Sequence, residues 1–143
     1  MYVLIQLRQS TEEESPETEG FYAKVEFEDV KNYEQNGSNK VASDMFADYS
    51  GSGYVYLQSG WGEVKFDIPR AGKYKITLVT NADCYKENWL YIDNDGAGVV
   101  RTSGNTWSEH TAEFNLTKGN HKFGVSSNWG YVALDYVIIE EVQ

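Results

Sequence analysis

Apolar and polar residues alternate with a period of two through most of the chain after Phe21. Val64, Phe66 and Ile68 share one parity against Glu63, Lys65 and Asp67, and Tyr74, Ile76 and Leu78 are set against Lys73, Lys75 and Thr77. In an extended chain successive side chains point to opposite faces, so this pattern predicts strands with one buried face. The same reading predicts strands over 22–29, 38–43, 53–58, 62–68, 73–80, 89–93, 97–101, 109–116, 120–126 and 131–140. Pro69-Arg70-Ala71-Gly72 and Thr117-Lys118-Gly119-Asn120 read as tight hairpin turns, and Asp93-Asn94-Asp95-Gly96 reads as a third, of type I′. No segment sustains a helical period, and no internal repeat stands out. About ten short strands predict an all-β domain, a β-sandwich of jelly-roll type.

Residues 1–20 break the pattern. The run from Ser10 to Gly20 is acidic, polar and without aromatics, so it cannot bury enough surface to order itself. It reads as a linker or tail tethering a domain of residues 21–143 to something else. Met1 to Leu7 is apolar but too short for a signal peptide, and it lacks a basic leader and a cleavage site. The longest apolar stretch falls far short of a membrane span.

Charge narrows the function. The chain of 143 residues carries 12 Lys and Arg against 22 Asp and Glu, a net charge of −10. Nucleic acid and anionic membrane both need a basic footprint, so neither is an expected partner. The single cysteine, Cys84, rules out an intrachain disulfide. A free cysteine of this kind is expected as a small buried hydrophobe.

One carboxylate stands out. Asp135 lies inside the otherwise uncharged run from Trp129 to Ile139, and the nearest basic residue in sequence is Lys122 on the preceding strand. A lone charge in a dry sheet costs several kcal/mol unless it is paired or bound to a metal. In the first strand, period-two alternation puts Glu26 and Glu28 on one face and Val25 and Phe27 on the other. If the first and last strands pair, three carboxylates converge. A hard divalent cation resolves their repulsion, and calcium takes oxygen ligands of this type. The glycine-rich loop Tyr49-Ser50-Gly51-Ser52-Gly53 can offer further oxygens, with Ser50 as the candidate. The competing reading leaves Glu26 and Glu28 on a solvated face and Asp135 capping a turn.

Catalytic signals are weak. Asp93-Asn94-Asp95-Gly96 begins like a calcium-binding helix–loop–helix, but Gly104 stands where the bidentate Glu would be. His110 and His121 share parity with apolar neighbours and read as core-edge residues. Glu26 and Glu28 project the same way from one strand, so they cannot flank a glycosidic bond from opposite sides. The chain is therefore not expected to be an enzyme. Aromatics are the richer resource, with 11 Tyr and 4 Trp. Trp61, Trp89, Trp107 and Trp129 fall at or near loop–strand junctions, and Trp129 is flanked by Asn128 and Gly130. A flat ring in a small, polar setting can stack on a pyranose while Asn128 bonds its hydroxyls. Tyr33, in the polar loop 31–37, is a candidate second wall, with Tyr85 and Asn88 as further candidates.

Five segments together resemble the carbohydrate-binding modules of family 35 and, more distantly, those of family 6. They are Val25-Glu26-Phe27-Glu28-Asp29, Tyr49 to Val55, Ala71 to Ile76, Trp107 with Leu116 to His121, and Leu134-Asp135-Tyr136-Val137. The resemblance implies a jelly roll with structural calcium held by the acids of the first strand and the Asp of the last. These are Glu26, Glu28 and Asp135. It implies sugar binding in loops at one end, and it makes Trp107 mainly a packing residue. Family 6 often carries a stacking aromatic where Gly104 stands and an Asn where Ala133 stands, and both are missing here. The Trp129-Gly130-Tyr131 run is closer to family 35 members attached to mannanases. The implied protein is a secreted, monomeric, non-catalytic module that targets a covalently linked glycoside hydrolase to plant hemicellulose, first of all β-mannan. Uronic-acid or pectin binding, xylan binding, and a calcium-stabilised adhesion role remain as alternatives.

Overall fold

A computed structural model describes residues 20–29, 33–36 and 39–143. Apart from Gly20, the expected acidic linker lies outside the described residues. The described residues form eleven strands: β1 (Tyr22–Glu26), β2 (Tyr33–Asn36), β3 (Asn39–Ala42), β4 (Tyr54–Leu57), β5 (Trp61–Ile68) and β6 (Gly72–Asn81), then β7 (Lys86–Ile92), β8 (Asp95–Thr102), β9 (Ser108–Leu116), β10 (Gly119–Trp129) and β11 (Val132–Glu141). The described residues contain no helix.

The strands form two antiparallel sheets. One runs β9-β6-β11-β4-β3, with β1 also on β11; the other runs β2-β5-β10-β7-β8. This is the expected all-β jelly-roll sandwich. The alternation read from the chain explains the core. Val64, Phe66 and Ile68 of β5 face Tyr74, Ile76 and Leu78 of β6 in one buried cluster with Leu134, Val137 and Ile139 of β11. Burying such side chains contributes roughly 1.5–3 kcal/mol each before the cost of ordering them.

Several local expectations need correction. The turns at 69–72 and 117–120 close no hairpin, because each carries the chain from one sheet to the other. Pro and Gly show that the chain reverses, but not which strand it will meet. The turn at 93–94 does close the β7–β8 hairpin. Asp93 and Asn94 take φ +51° and +72°, the left-handed pair a type I′ turn requires. Residues 33–36 form a strand where a loop was expected. Among the described residues β2 pairs only with β5, and its Tyr-Glu-Gln-Asn sequence carries no alternation to betray it. The first strand stops at Glu26, so Phe27 and Glu28 lie in a turn. Cys84 is exposed, not buried.

A small aromatic cluster covers one end of the six-stranded sheet on the face away from the main core. Tyr54 is fully buried, and its hydroxyl accepts hydrogen bonds from the Met45 and Phe46 amides at 2.9 and 3.0 Å. Trp107 packs its ring 5.6 Å from Tyr54 and donates from Nε1 to the Ala47 carbonyl at 2.7 Å. That is the packing role expected of Trp107, and it holds loop 43–49 against the sandwich.

At the opposite end, His121 ties two turns together. Its Nδ1 lies 2.6 Å from an Asp93 carboxylate oxygen, and its Nε2 lies 2.7 Å from the Thr117 carbonyl. Burial alone would lower the imidazole pKa. The Asp93 carboxylate and the Thr117 carbonyl outweigh it, and the net shift is upward. A group whose folded pKa is raised stabilises fully below its unfolded value and loses that contribution as pH rises through the folded one. Replacing His121 with Asn should therefore lower stability by about 1 kcal/mol at pH 5.5 and by clearly less at pH 9, read by urea denaturation.

Candidate functional site

The acidic site forms where β11 changes partners. Along one edge, β11 pairs with β4 through Val132–Leu134 and then with β1 from Tyr136 onward. On the other edge its pairing with β6 slips between Leu134 and Tyr136. Asp135 sits in that irregularity, and a bulge of this kind re-aims a side chain. The Asp135 carbonyl accepts from the Phe27 amide at 3.0 Å, tying the end of β1 to the bulge. Glu28, in the turn after β1, and Glu26, at its last position, are brought beside it.

One carboxylate oxygen each from Glu26, Glu28 and Asp135 lies within 4.8 Å of the others. Among the described residues this is the one group of three or more acidic, His or Cys side chains that could hold a metal ion. Loop 49–53 closes over it. The Ser50 amide donates to Asp135 Oδ2 at 2.8 Å, the Ser50 hydroxyl donates to Glu26 Oε2 at 2.7 Å, and the Ser52 amide donates to Glu28 Oε2 at 3.2 Å. Gly51, at φ +62°, passes so near the Glu28 carboxylate that a Cβ there would collide with it. Sequence reasoning missed Lys24, whose Nζ lies 2.6 Å from Ser50 Oγ and 3.5 Å from Glu26 Oε2. Its position two residues before Glu26 puts it on the same strand face, which parity could have shown.

One lysine does not neutralise three carboxylates. Burial, opposed by the Ser50 amide and reinforced by Glu26, pushes Asp135 up to about 6. Burial, with Glu26 and Asp135 beside it, pushes Glu28 up to about 7. Each group also leaves one buried oxygen unpartnered: Glu26 Oε1, Glu28 Oε1 and Asp135 Oδ1. Three orphaned carboxyl oxygens, on acids that approach one another within 4.8 Å, fit a hard cation.

The aromatic residues gather at the end of the sandwich beyond this cluster, about 10 Å along β11 from Asp135 to Val132. Asn128 and Trp129 are the last residues of β10, and Gly130 turns the chain at φ +89°. Trp129 is 57% exposed and Tyr85 45%, with ring centroids 6.1 Å apart and tilted by 48°. Lys86 Nζ stands 5.9 Å from the Trp129 ring, and its stem fills the space a side chain at Gly130 would need. Tyr131, which sequence reasoning passed over, is also exposed and meets Tyr56 edge to face at 5.7 Å.

Asn88 needs correction as a direct sugar contact. It is fully buried, and its Oδ1 accepts from the Asn128 amide at 2.9 Å, so it positions the rim from beneath. Tyr33 lies in β2 opposite Val64, and its side chain falls outside the described residues. A polar pocket of about 360 Å³ opens near the rim, lined by residues including Asp48, Asn81, Asn105 and Trp107.

No family model matches the chain. It is 29% identical over 126 residues to mannan endo-1,4-beta-mannosidase B of Piromyces sp, a match covering 84% of this chain and 22% of that enzyme. It superposes with a TM-score of 0.73 on the GH26-CBM35 β-(1,4)-mannanase of Podospora anserina, at 20% identity over 88% of this chain and 28% of that one. It also superposes with a TM-score of 0.65 on a family 35 carbohydrate-binding module from Clostridium thermocellum, at 17% identity over 83% of this chain and 97% of that module. This is the fold of the family 35 carbohydrate-binding modules. The chain spans about a fifth of the curated enzyme it matches, whereas the family 35 module from Clostridium thermocellum is matched over nearly its whole length.

Metal-free, the acidic site should make the family 35 fold sensitive to pH. Glu28 and Asp135 hold protons more tightly folded than unfolded, so their contribution is greatest at low pH and is lost as pH rises through about 6 and about 7. In a chelator the melting temperature should fall between pH 5 and pH 8. Asp135→Asn keeps an acceptor for the Ser50 amide and should flatten that fall; an equal slope in wild type and variant would refute the assignment.

Proposed function

We propose that this chain is a non-catalytic carbohydrate-binding module that holds a linked glycoside hydrolase against plant cell-wall hemicellulose, with β-mannan as its ligand. The exposed Trp129–Tyr85 pair carries this reading. Trp129 stacks on the apolar face of a pyranose, Tyr85 forms the adjoining wall, and Asn128 bonds hydroxyls. Two supports come from outside the site. The fold is that of the family 35 modules, and the sequence match is to part of a mannan-cleaving enzyme. Lys86 favours a neutral chain over a uronate, because Asp83 already faces its ammonium at 3.4 Å.

The cation assigned to Glu26, Glu28 and Asp135 is calcium, the hard ion that accepts an all-oxygen, carboxylate-rich shell. The backbone of loop 49–53 around Ser50 completes that shell. In this reading the module is secreted and monomeric. It raises the effective concentration of its enzyme at a surface while each site binds modestly. Its acidity keeps it off nucleic acid and anionic membrane.

Affinity electrophoresis tests the ligand. Wild type should be retarded by mannan, and Trp129→Ala should lose that retardation while its melting temperature stays within a few degrees. Unchanged mobility in the variant would move the site away from the rim, and stronger retardation by pectin would favour the uronate alternative. Calcium added to chelated protein should raise the melting temperature progressively with concentration. A melting temperature indifferent to both calcium and chelator would refute the metal.

A further inference from the structure

Lys24 sets an ammonium against the acidic site, and more than its nearest carboxylate holds it there. Its side chain is 39% exposed. A lysine so open to water is ordinarily free to turn on its flexible stem. Here three groups fix it. Its Nζ donates to Ser50 Oγ at 2.6 Å, lies 3.5 Å from Glu26 Oε2, and stands 4.2 Å from the centre of the Tyr136 ring. Register places that ring. Tyr136 of β11 pairs with Glu26, so it lies diagonal to Lys24 across β1 and β11. The ring face attracts the ammonium and keeps it beside the carboxylates.

The oxygens that Lys24 leaves alone matter as much. Lys24 and the Ser50 hydroxyl share Glu26 Oε2, whereas the unpartnered oxygens are Glu26 Oε1, Glu28 Oε1 and Asp135 Oδ1. Lys24 therefore does not fill the seat those oxygens offer. It adds a fixed positive charge at the border of that seat. Three ionised carboxylates and one ammonium leave a formal charge of −2, which a single divalent ion neutralises. A trivalent ion would overshoot it. A fixed charge acts on an incoming ion in proportion to the ion's own charge, so this ammonium opposes a trivalent ion half as strongly again as a divalent one.

We propose that Lys24 is a charge-setting residue that fits the Glu26–Glu28–Asp135 site to a divalent cation and discriminates against cations of higher charge. The same ammonium weakens calcium binding relative to three bare carboxylates, and it restrains their mutual repulsion when no ion is bound. The inference rests on the calcium assignment of the proposed function and concerns which ion the site prefers.

The test is calorimetric titration of the whole chain, stripped of metal by chelator and held at pH 7, with calcium and separately with terbium. Lys24→Gln keeps a donor for Ser50 Oγ and removes the charge; Lys24→Arg keeps the charge. The Gln variant should bind calcium roughly tenfold and terbium roughly thirtyfold more tightly than wild type, the two gains scaling with ion charge. The Arg variant should stay within about twofold of wild type for both ions, because it restores the charge beside the same ring. If the Gln variant binds both ions more weakly or no differently, Lys24 serves only to hold loop 49–53 and the inference is overturned. Equal gains for calcium and terbium would overturn the discrimination by charge. If neither ion binds wild type or variant, the calcium assignment falls together with the inference, while retardation by mannan still decides the glycan reading through Trp129.

Discussion

Three carboxylates, one buried and two half-buried, each with an oxygen within 4.8 Å of the others, are the constraint on which this molecule turns. They sit where β11 passes from β4 to β1, so two strands that do not pair with each other are joined through their common neighbour. Left uncompensated, such a cluster opposes folding, because burial and mutual repulsion both favour the neutral acids. The protein answers with the amides of Ser50 and Ser52, the Ser50 hydroxyl and the Lys24 ammonium. These satisfy one oxygen of each acid and leave the other exposed to its neighbours. That arrangement opposes a tight metal-free structure and suits a site completed by a cation.

The position of the cluster also bears on binding. Loop 49–53, which closes the acidic site, continues from loop 43–49, which Tyr54 and Trp107 hold to the sandwich. Four and six residues before Asp135 the chain passes Tyr131 and Trp129, where β10 turns into β11. The acidic site, the aromatic cluster and the rim are thus consecutive stations on one rigid path. In the proposed function, a stacking ring presented on such a path would lose little conformational freedom when a sugar arrives, which favours useful affinity from a small surface.

Much was legible in the chain because it is local. Alternation over 61–68 and 72–78 declared both strands and their buried faces, and the Asp93-Asn94 pair declared a type I′ turn. Asp135 declared itself by contrast, as an unpaired charge in an apolar run, and the parity of β1 put Glu26 on the face that would answer it. Partner choice was not local. Pro69–Gly72 and Thr117–Asn120 look like hairpin turns, yet each crosses between sheets. Glu28 reaches the cluster from a turn, not from the strand that parity assigned to it. β2 forms because β5 offers it an edge, although nothing in Tyr-Glu-Gln-Asn asks for a strand. Asn88 looked available to a ligand and is buried under the rim instead. Side-chain period is a property of neighbours along the backbone and can be read there. Which strands pair, and in what register, is settled by burial summed over the whole sandwich, and that sum has no local trace.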